Sequence, residues 1–301
     1  MKKTLINIIG GLIPYRPWRV RARNILHFGL IKSIRARLAE PKLEFPYKLA
    51  IVAIAKNEGA YFREWIEYHR MLGVEKFYIY DNESTDDIKE VLAPYIKSGV
   101  VEYKFWPGQK QQLAVYQHAF DTKKFEAKWF AVIDLDEFLV PTEHETITEY
   151  LDSLPKDTSQ VWAGWVMYGS NGHEKKPAGL VIENFKTRAA KNNFKLPGDM
   201  YKTIANPRFT ARPGIHRRHM FAGKNVMSNE GPIEGFAIRC NHYHCKSWEE
   251  YSKRAPRGSG CGGAAGGIRK YTREAFDICD QNEVDDPIMD KYIAPLKKRL
   301  S

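Results

Sequence analysis

The apolar positions of this chain change period in a regular order. Residues 48–55 (KLAIVAIA) form an almost unbroken apolar run, as expected of a strand buried on both faces. The run ends in Lys56-Asn57-Glu58-Gly59. Phe62, Trp65, Ile66, His69 and Leu72 then recur at helical spacing, and Gly73 is placed to end the helix they predict. Residues 77–80 (FYIY) predict a second strand, closed by the polar stretch 81–86 (DNESTD), whose Ser and Thr should cap a helix reaching Tyr95. A third strand is predicted at 100–105, a helix at 111–125 and a fourth strand at 129–134 (WFAVID).

Strands alternating with helices through short links predict an α/β domain whose central sheet is mixed but mostly parallel and covered on both faces. Such sheets bind ligands beyond the carboxyl ends of their strands. Asn57/Glu58, Asp81/Asn82 and Asp134/Asp136 all fall at such ends. After residue 150 the pattern loosens. A strand is predicted at 161–168, a loop at 169–173, an irregular polar stretch at 184–235, a strand at 238–244 and a helix at 248–254. Residues 258–267 (GSGCGGAAGG) hold six glycines and read as flexible. Pro41 and Pro46 bound a linker, so the expected organisation is an arm over 1–46, a domain over 47–258 and a Gly-rich segment with a helical tail over 259–301.

Charge sharpens that division. The net charge is +11, yet residues 1–40 carry nine Lys/Arg against Glu40 alone, leaving 38 basic and 35 acidic side chains in the rest. The body is nearly balanced, which argues against a nucleic-acid partner. The arm instead predicts a peripheral anchor on an anionic membrane surface, with Ile, Leu and Trp18 at the headgroup boundary and arginines on the lipid charge. Its apolar stretch LINIIGGLIP is about half of the ~20 residues needed to span a bilayer. Arginines follow it directly, with no small-residue cleavage pattern, so a signal peptide is not expected. The four cysteines, Cys240, Cys245, Cys261 and Cys279, suit a reduced compartment. The expected location is therefore the cytoplasm, on the inner face of the membrane.

The chemistry concentrates at Asp134-Leu135-Asp136-Glu137. Carboxylates at i and i+2 share one face of an extended chain and can grip a hard divalent cation that keeps positions open for diphosphate oxygens. Such a cation offsets the charge that grows on a departing nucleotide diphosphate. Asn57, Glu58, Asp81, Asn82 and Gln112 are the other candidate contacts to a nucleotide sugar. Cys240-Asn-His-Tyr-His-Cys245 places Cys240, His242 and His244 on one face of a strand. Three readings stand: a zinc ion, although the spacing matches no standard zinc module; one histidine completing the Asp134/Asp136 site; or a pair of packed or surface histidines. Lys246, Arg254 and Arg257 could hold phosphates.

The stretch 55–95 (AKNEGAYFREWIEYHRMLGVEKFYIYDNESTDDIKEVLAPY) resembles glycosyltransferase family 92 and related family 2-like bacterial glycosyltransferases. The resemblance continues through 112–116 (QLAVY), 128–129 (KW), 134–139 (DLDEFL), 169–173 (GSNGH), 241–243 (NHY), 246–247 (KS) and 257–258 (RG), covering roughly 48–258. It implies a GT-A fold, a nucleotide-sugar donor, Mn²⁺ or Mg²⁺, and inversion at the anomeric carbon. It implies that Asp136 is a metal ligand, that Asp134 touches ribose or metal, and that His242 is the family histidine. It also makes UDP-galactose the first donor to consider. Inversion needs a general base on the acceptor side, for which Glu230 is the candidate, with Glu234 and Asp199 behind it.

The expected function is metal-dependent transfer of a hexose from a UDP-sugar to a hydroxyl of a glycan acceptor, lipid-linked, in bacterial surface polysaccharide or lipopolysaccharide synthesis. Two alternatives stand beside it. A metal-dependent nucleotidyltransferase would release pyrophosphate. A non-catalytic glycan- or membrane-binding protein on a transferase scaffold would tolerate loss of Asp134, Asp136 and His242.

Overall fold

The computed structural model describes residues 6, 8, 11–14, 16–191, 200–254 and 271–301. Asp199, Arg257, Cys261 and the Gly-rich stretch 258–267 lie outside the described residues, as does most of the segment before residue 16.

Nine strands form the central sheet: β1 (Tyr47–Ala55), β2 (Lys76–Asp81), β3 (Val101–Phe105), β4 (Ala127–Val132), β5 (Glu137–Pro141), β6 (Thr158–Met167), β7 (Tyr201–Ala205), β8 (Lys224–Ser228) and β9 (Ile238–His242). The order is β3-β2-β1-β4-β7-β6-β9-β5, with β8 beside β6. The first four strands are mutually parallel, while β7 runs antiparallel to both β4 and β6, and β5 antiparallel to β9. The sheet is thus mixed and mostly parallel, as the strand–helix alternation predicts.

Among the described residues the helices are α1 (Arg16–Phe28), α2 (Leu30–Ala39), α3 (Gly59–Met71), α4 (Ile88–Lys97), α5 (Gln112–Thr122), α6 (Ile147–Ser153), α7 (Val181–Asn184), α8 (Trp248–Ser252), α9 (Arg273–Cys279) and α10 (Asp290–Leu300). The run 48–55 is apolar throughout because β1 buries both faces. Leu49, Ile51, Ala53 and Ala55 meet the cluster that includes Phe62, Trp65 and Leu92, while Ala50 and Val52 meet Val115, Tyr116 and Ala119 on the other side.

Edge strand β5 would leave backbone groups open on its outer side. Helix α3 supplies the partners. Trp65 Nε1 donates to Glu137 O at 2.9 Å, Tyr68 OH to Leu139 O at 3.0 Å, and His69 Nε2 accepts from Leu139 N at 3.3 Å. The helical tail belongs to the same core: Met289, Tyr292 and Leu296 of the last segment are buried in the main cluster.

Two expectations need correcting. The stretch 184–235 is not irregular throughout, because β7 lies mid-sheet and β8 extends it. No Ser or Thr side chain caps α4, whose N-cap is Asp87; Ser84 Oγ instead accepts from Asn57 N at 2.9 Å, tying the first two strand ends together. The Pro41–Pro46 linker is anchored through a short 3-10 turn, Glu40–Lys42: Glu40 accepts from Arg208 Nε at 2.8 Å and from Asn206 Nδ2 at 2.6 Å. Among the described residues no helix is long and apolar enough to cross a membrane.

Candidate active site

Parallel strands β1, β2 and β4 end on one edge of the sheet, and the chain leaves β4 there through Asp134. The turn into β5 is closed locally. Glu137 N donates to Asp134 O at 3.1 Å, and Asp134 N donates to the Glu137 side chain at 2.9 Å. Glu137 therefore caps the turn that carries both aspartates. Tyr243 N donates to Asp136 O at 2.8 Å, which fastens the turn to the end of β9. In the paired register His242 lies opposite Glu137.

Two overlapping groups of metal-capable side chains result among the described residues: Asp134, Asp136 and Glu137, and Asp136, His242 and His244. Within each group the ligand atoms lie within 4.8 Å of one another. Asp136 is common to both. Its Oδ1 is 3.6 Å from His242 Nε2 and its Oδ2 is 3.1 Å from an Arg254 guanidinium nitrogen. Burial alone would raise the Asp136 pKa, but His242 and Arg254 outweigh it and hold the carboxyl well below the usual range. Burial works against a charged His242 as well, and Asp136 reverses that, raising its pKa.

Lys202 comes from β7 and is buried. Its Nζ is 2.7 Å from Asp134 and 3.2 Å from Glu137. Burial pushes the Glu137 pKa up against the pull of Lys202, and Asp134 is the lysine's nearer partner. Asp134 is the more open carboxylate, and Gln112 Nε2 approaches its other oxygen at 3.4 Å.

The hard carboxylate oxygens suit Mn²⁺ or Mg²⁺, and an imidazole beside them favours Mn²⁺ of the two. Two further observations fit that donor set: Glu137 Oε1 and His242 Nδ1 are buried without a hydrogen-bond partner in the protein. Among the described residues, Cys240 belongs to neither group. Cys240, Cys245 and Cys279 are buried and free.

Lys246 stands beside this cluster with a positive φ of 50°. Its Nζ lies 3.3 Å from the centre of the Tyr61 ring, and Tyr61 OH donates to Glu250 at 2.5 Å. Burial lowers the Lys246 pKa to about 8, with Glu58, Asp136 and Glu250 pulling it up and Arg254 pushing it down. Glu58, Lys246, Arg254 and Asp136 thus share one electrostatic neighbourhood.

Asn57, Asp81 and Asn82 sit on the same edge but are engaged in hydrogen bonds within and between the turns of that edge. Asn57, at φ 55°, accepts from Thr85 N at 2.7 Å. Asp81 accepts from Ser84 N at 2.9 Å and Tyr103 OH at 2.6 Å. Asn82 donates to the carbonyls of Trp106 and Gly108, each at 2.8 Å. Together they make a rigid rim across β1, β2 and β3.

Glu230 is not brought to the carboxylates. It is exposed, just beyond Ser228, whose hydroxyl accepts from Ile238 N at 3.0 Å. The turn bearing Glu230 thus begins at the Ile238 end of β9, four residues or about 13 Å from His242. Glu234 pairs with Arg188 at 2.8 Å. Lys202 is not legible in the sequence because it falls in a stretch that reads as irregular and polar, and Glu137 is legible as an acid but not as the cap of the turn. The β-forming Tyr201, Thr203 and Ile204 are the signal that could have found the former.

The family model for glycosyltransferase family 92 matches residues 52–259. A family 92 protein of Oryza sativa subsp. japonica is 28% identical over 212 residues, covering 69% of this chain and 35% of that protein. Galactan beta-1,4-galactosyltransferase GALS2 of Arabidopsis thaliana is 27% identical over 198 residues, covering 60% of this chain and 36% of its own. The chain therefore spans about a third of the length of the curated relatives it matches. Among solved structures, S. aureus TarS 1-349 superposes with a TM-score of 0.41 at 11% identity, over 69% of this chain and 64% of the other.

Proposed function

Since the chain belongs to glycosyltransferase family 92, we propose that it is a glycosyltransferase moving a hexose, galactose first among candidates, from a UDP-sugar to a glycan hydroxyl with inversion. The observation that carries the reading is Asp136, which both groups of metal-capable side chains share at the carboxyl edge of the sheet. Galactose is favoured by the relative GALS2, a galactan beta-1,4-galactosyltransferase.

Asp136 and His242 would hold Mn²⁺ or Mg²⁺, with Asp134 or His244 beside them. When bound, the ion supplies positive charge against a departing diphosphate. The chain's own groups do the rest. Lys246 and Arg254 bring two buried cations to the same place, suited to diphosphate oxygens. Gln112 and Lys202 orient the Asp134 carboxylate. The rim of Asn57, Asp81 and Asn82 offers a preformed seat for the nucleoside, with Glu58 facing the basic side. The acceptor is proposed to be a lipid-linked glycan, with the arm of residues 1–40 keeping the enzyme on the inner, anionic face of a membrane.

The test is thermal stability of the purified chain with and without Mn²⁺, against UDP-, GDP- and CMP-sugars. A ligand that binds the folded state raises the melting temperature by mass action. A Mn²⁺-dependent rise with a UDP-sugar, abolished in Asp136→Ala, is expected. The reading fails if no nucleotide shifts the melting temperature. Release of pyrophosphate in place of UDP would point to nucleotidyl transfer.

A further inference from the structure

Helix α2 (LIKSIRARLA) presents its apolar side to solvent. Leu30, Ile34 and Leu38 stack on successive turns with Ile31 beside them, and these four side chains are 48–68% exposed. A folded surface seldom leaves such a stripe uncovered without a partner. The stripe lies between Arg35 on one side and Arg37 on the other, and the helix contains no acid. The helix does not swing freely. Ser33 is buried, Ala36 packs on the cluster of Phe209, Met220 and Phe221, and Glu40 beyond its end is paired with Arg208 at 2.6 Å. Lys32 lies 4.6 Å above the Phe221 ring.

Between α2 and the body runs a groove of about 550 Å³. Ile31, Leu43, Phe125 and Phe221 give it an apolar lining, and Lys32 and Arg35 stand along it. Phe125 is itself 57% exposed. Apolar surface bordered by basic side chains matches the boundary between acyl chains and anionic headgroups. Apolar residues enter that boundary while Lys and Arg reach outward to lipid phosphates.

We infer that the outer face of α2, with the adjoining groove beside Phe125, is the surface that docks on an anionic lipid bilayer, the groove receiving part of one acyl chain. This narrows the membrane reading above from a whole basic arm to one fixed helix and a body residue. It does not need the transfer reaction, because nucleotide-dependent stabilisation is measured separately and either result can stand without the other.

The experiment is co-sedimentation of the full chain with vesicles of phosphatidylcholine alone, or with one lipid in three replaced by phosphatidylglycerol. Wild type should pellet with the anionic vesicles, lose binding as salt rises, and stay mostly in the supernatant with neutral ones. Ile34→Ser/Leu38→Ser should partition about tenfold less at an unchanged melting temperature, since both positions are solvent-facing. Phe125→Ser should weaken binding alone and more so in combination. Binding by the double variant equal to wild type overturns the inference, as does a wild type that ignores anionic vesicles. A wild-type dimer that the double variant converts to monomer would assign the face to a second copy and overturn it too.

Discussion

Lys202 lies 2.7 Å from Asp134 although 68 positions separate them in the chain. The contact exists because β7 enters the sheet antiparallel beside β4 and presents a buried ammonium at the carboxylate end of its neighbour. Lys202→Met leaves the fully buried Glu137 and the half-open Asp134 without their neutralising charge. Breaking a buried pair from one side costs about 3–5 kcal/mol, which a urea titration of the metal-free protein should show. Millimolar Mn²⁺ should restore part of that loss. If Mn²⁺ stabilises the variant no more than wild type, the Asp134–Glu137 turn is not where the cation binds.

Lys246 sits over the Tyr61 ring with its ammonium directed into the same electrostatic neighbourhood as Arg254. Met keeps the aliphatic stem and the packing on Tyr61 while removing the charge. Lys246→Met should raise KM for the UDP-sugar about tenfold with a smaller change in kcat, the pattern of a lost ground-state contact. A fall in kcat at unchanged KM would place the lysine in the transition state instead.

Much of this arrangement is legible in the sequence because a continuous apolar strand and a polar strand end leave strong local marks. The runs 48–55 and 129–134, and the aspartates after them, are of that kind. Lys202 and β7 are not. A buried lysine inside Tyr201–Ala205 makes the segment look solvent-facing, and only its long-range partners, Asp134 and Glu137, explain why it is not. Glu137 reads as a third acid in a motif, yet it is the capping group that shapes the turn. His69 reads as one apolar-face position of α3, while its ring nitrogens complete the hydrogen bonding of an edge strand far along the chain. Asn57, Asp81 and Asn82 read as polar strand ends, and hydrogen bonds within and between the turns there use much of their capacity.

His69 makes acid stability testable. Nδ1 donates to Trp65 O at 2.8 Å and Nε2 accepts from Leu139 N, so both nitrogens are used by the neutral ring. Burial lowers its pKa from 6.5 to about 3, against the Trp65 hydrogen bond, which raises it. The unfolded chain binds this proton and the folded one does not between those limits. The stabilisation is therefore present above pH 6.5 and lost as pH falls toward 3, by about 1.4 kcal/mol per unit over the middle of the range. His69→Gln cannot take up the proton, so its stability should fall less steeply between pH 6.5 and 4, whatever its stability at pH 7. Parallel curves for the two proteins would remove His69 as the source.

Glu230 provides the sharpest separation between what sequence position suggests and what the sheet allows. It lies between the aspartate turn and His242 in the chain, which is why it stands out as a candidate base. In space its turn begins where β9 begins, whereas His242 ends that strand and faces Glu137. A general base must come within about 3 Å of the proton it removes, directly or through one water. An exposed acid at the far end of the strand does not meet that requirement in this arrangement. Glu230→Gln should therefore change the transfer rate less than about twofold, measured as UDP release at saturating donor and acceptor. Loss of a catalytic base typically costs ~10²–10⁴-fold; a loss of that size in Glu230→Gln would mean that the turn closes over the site when the acceptor binds.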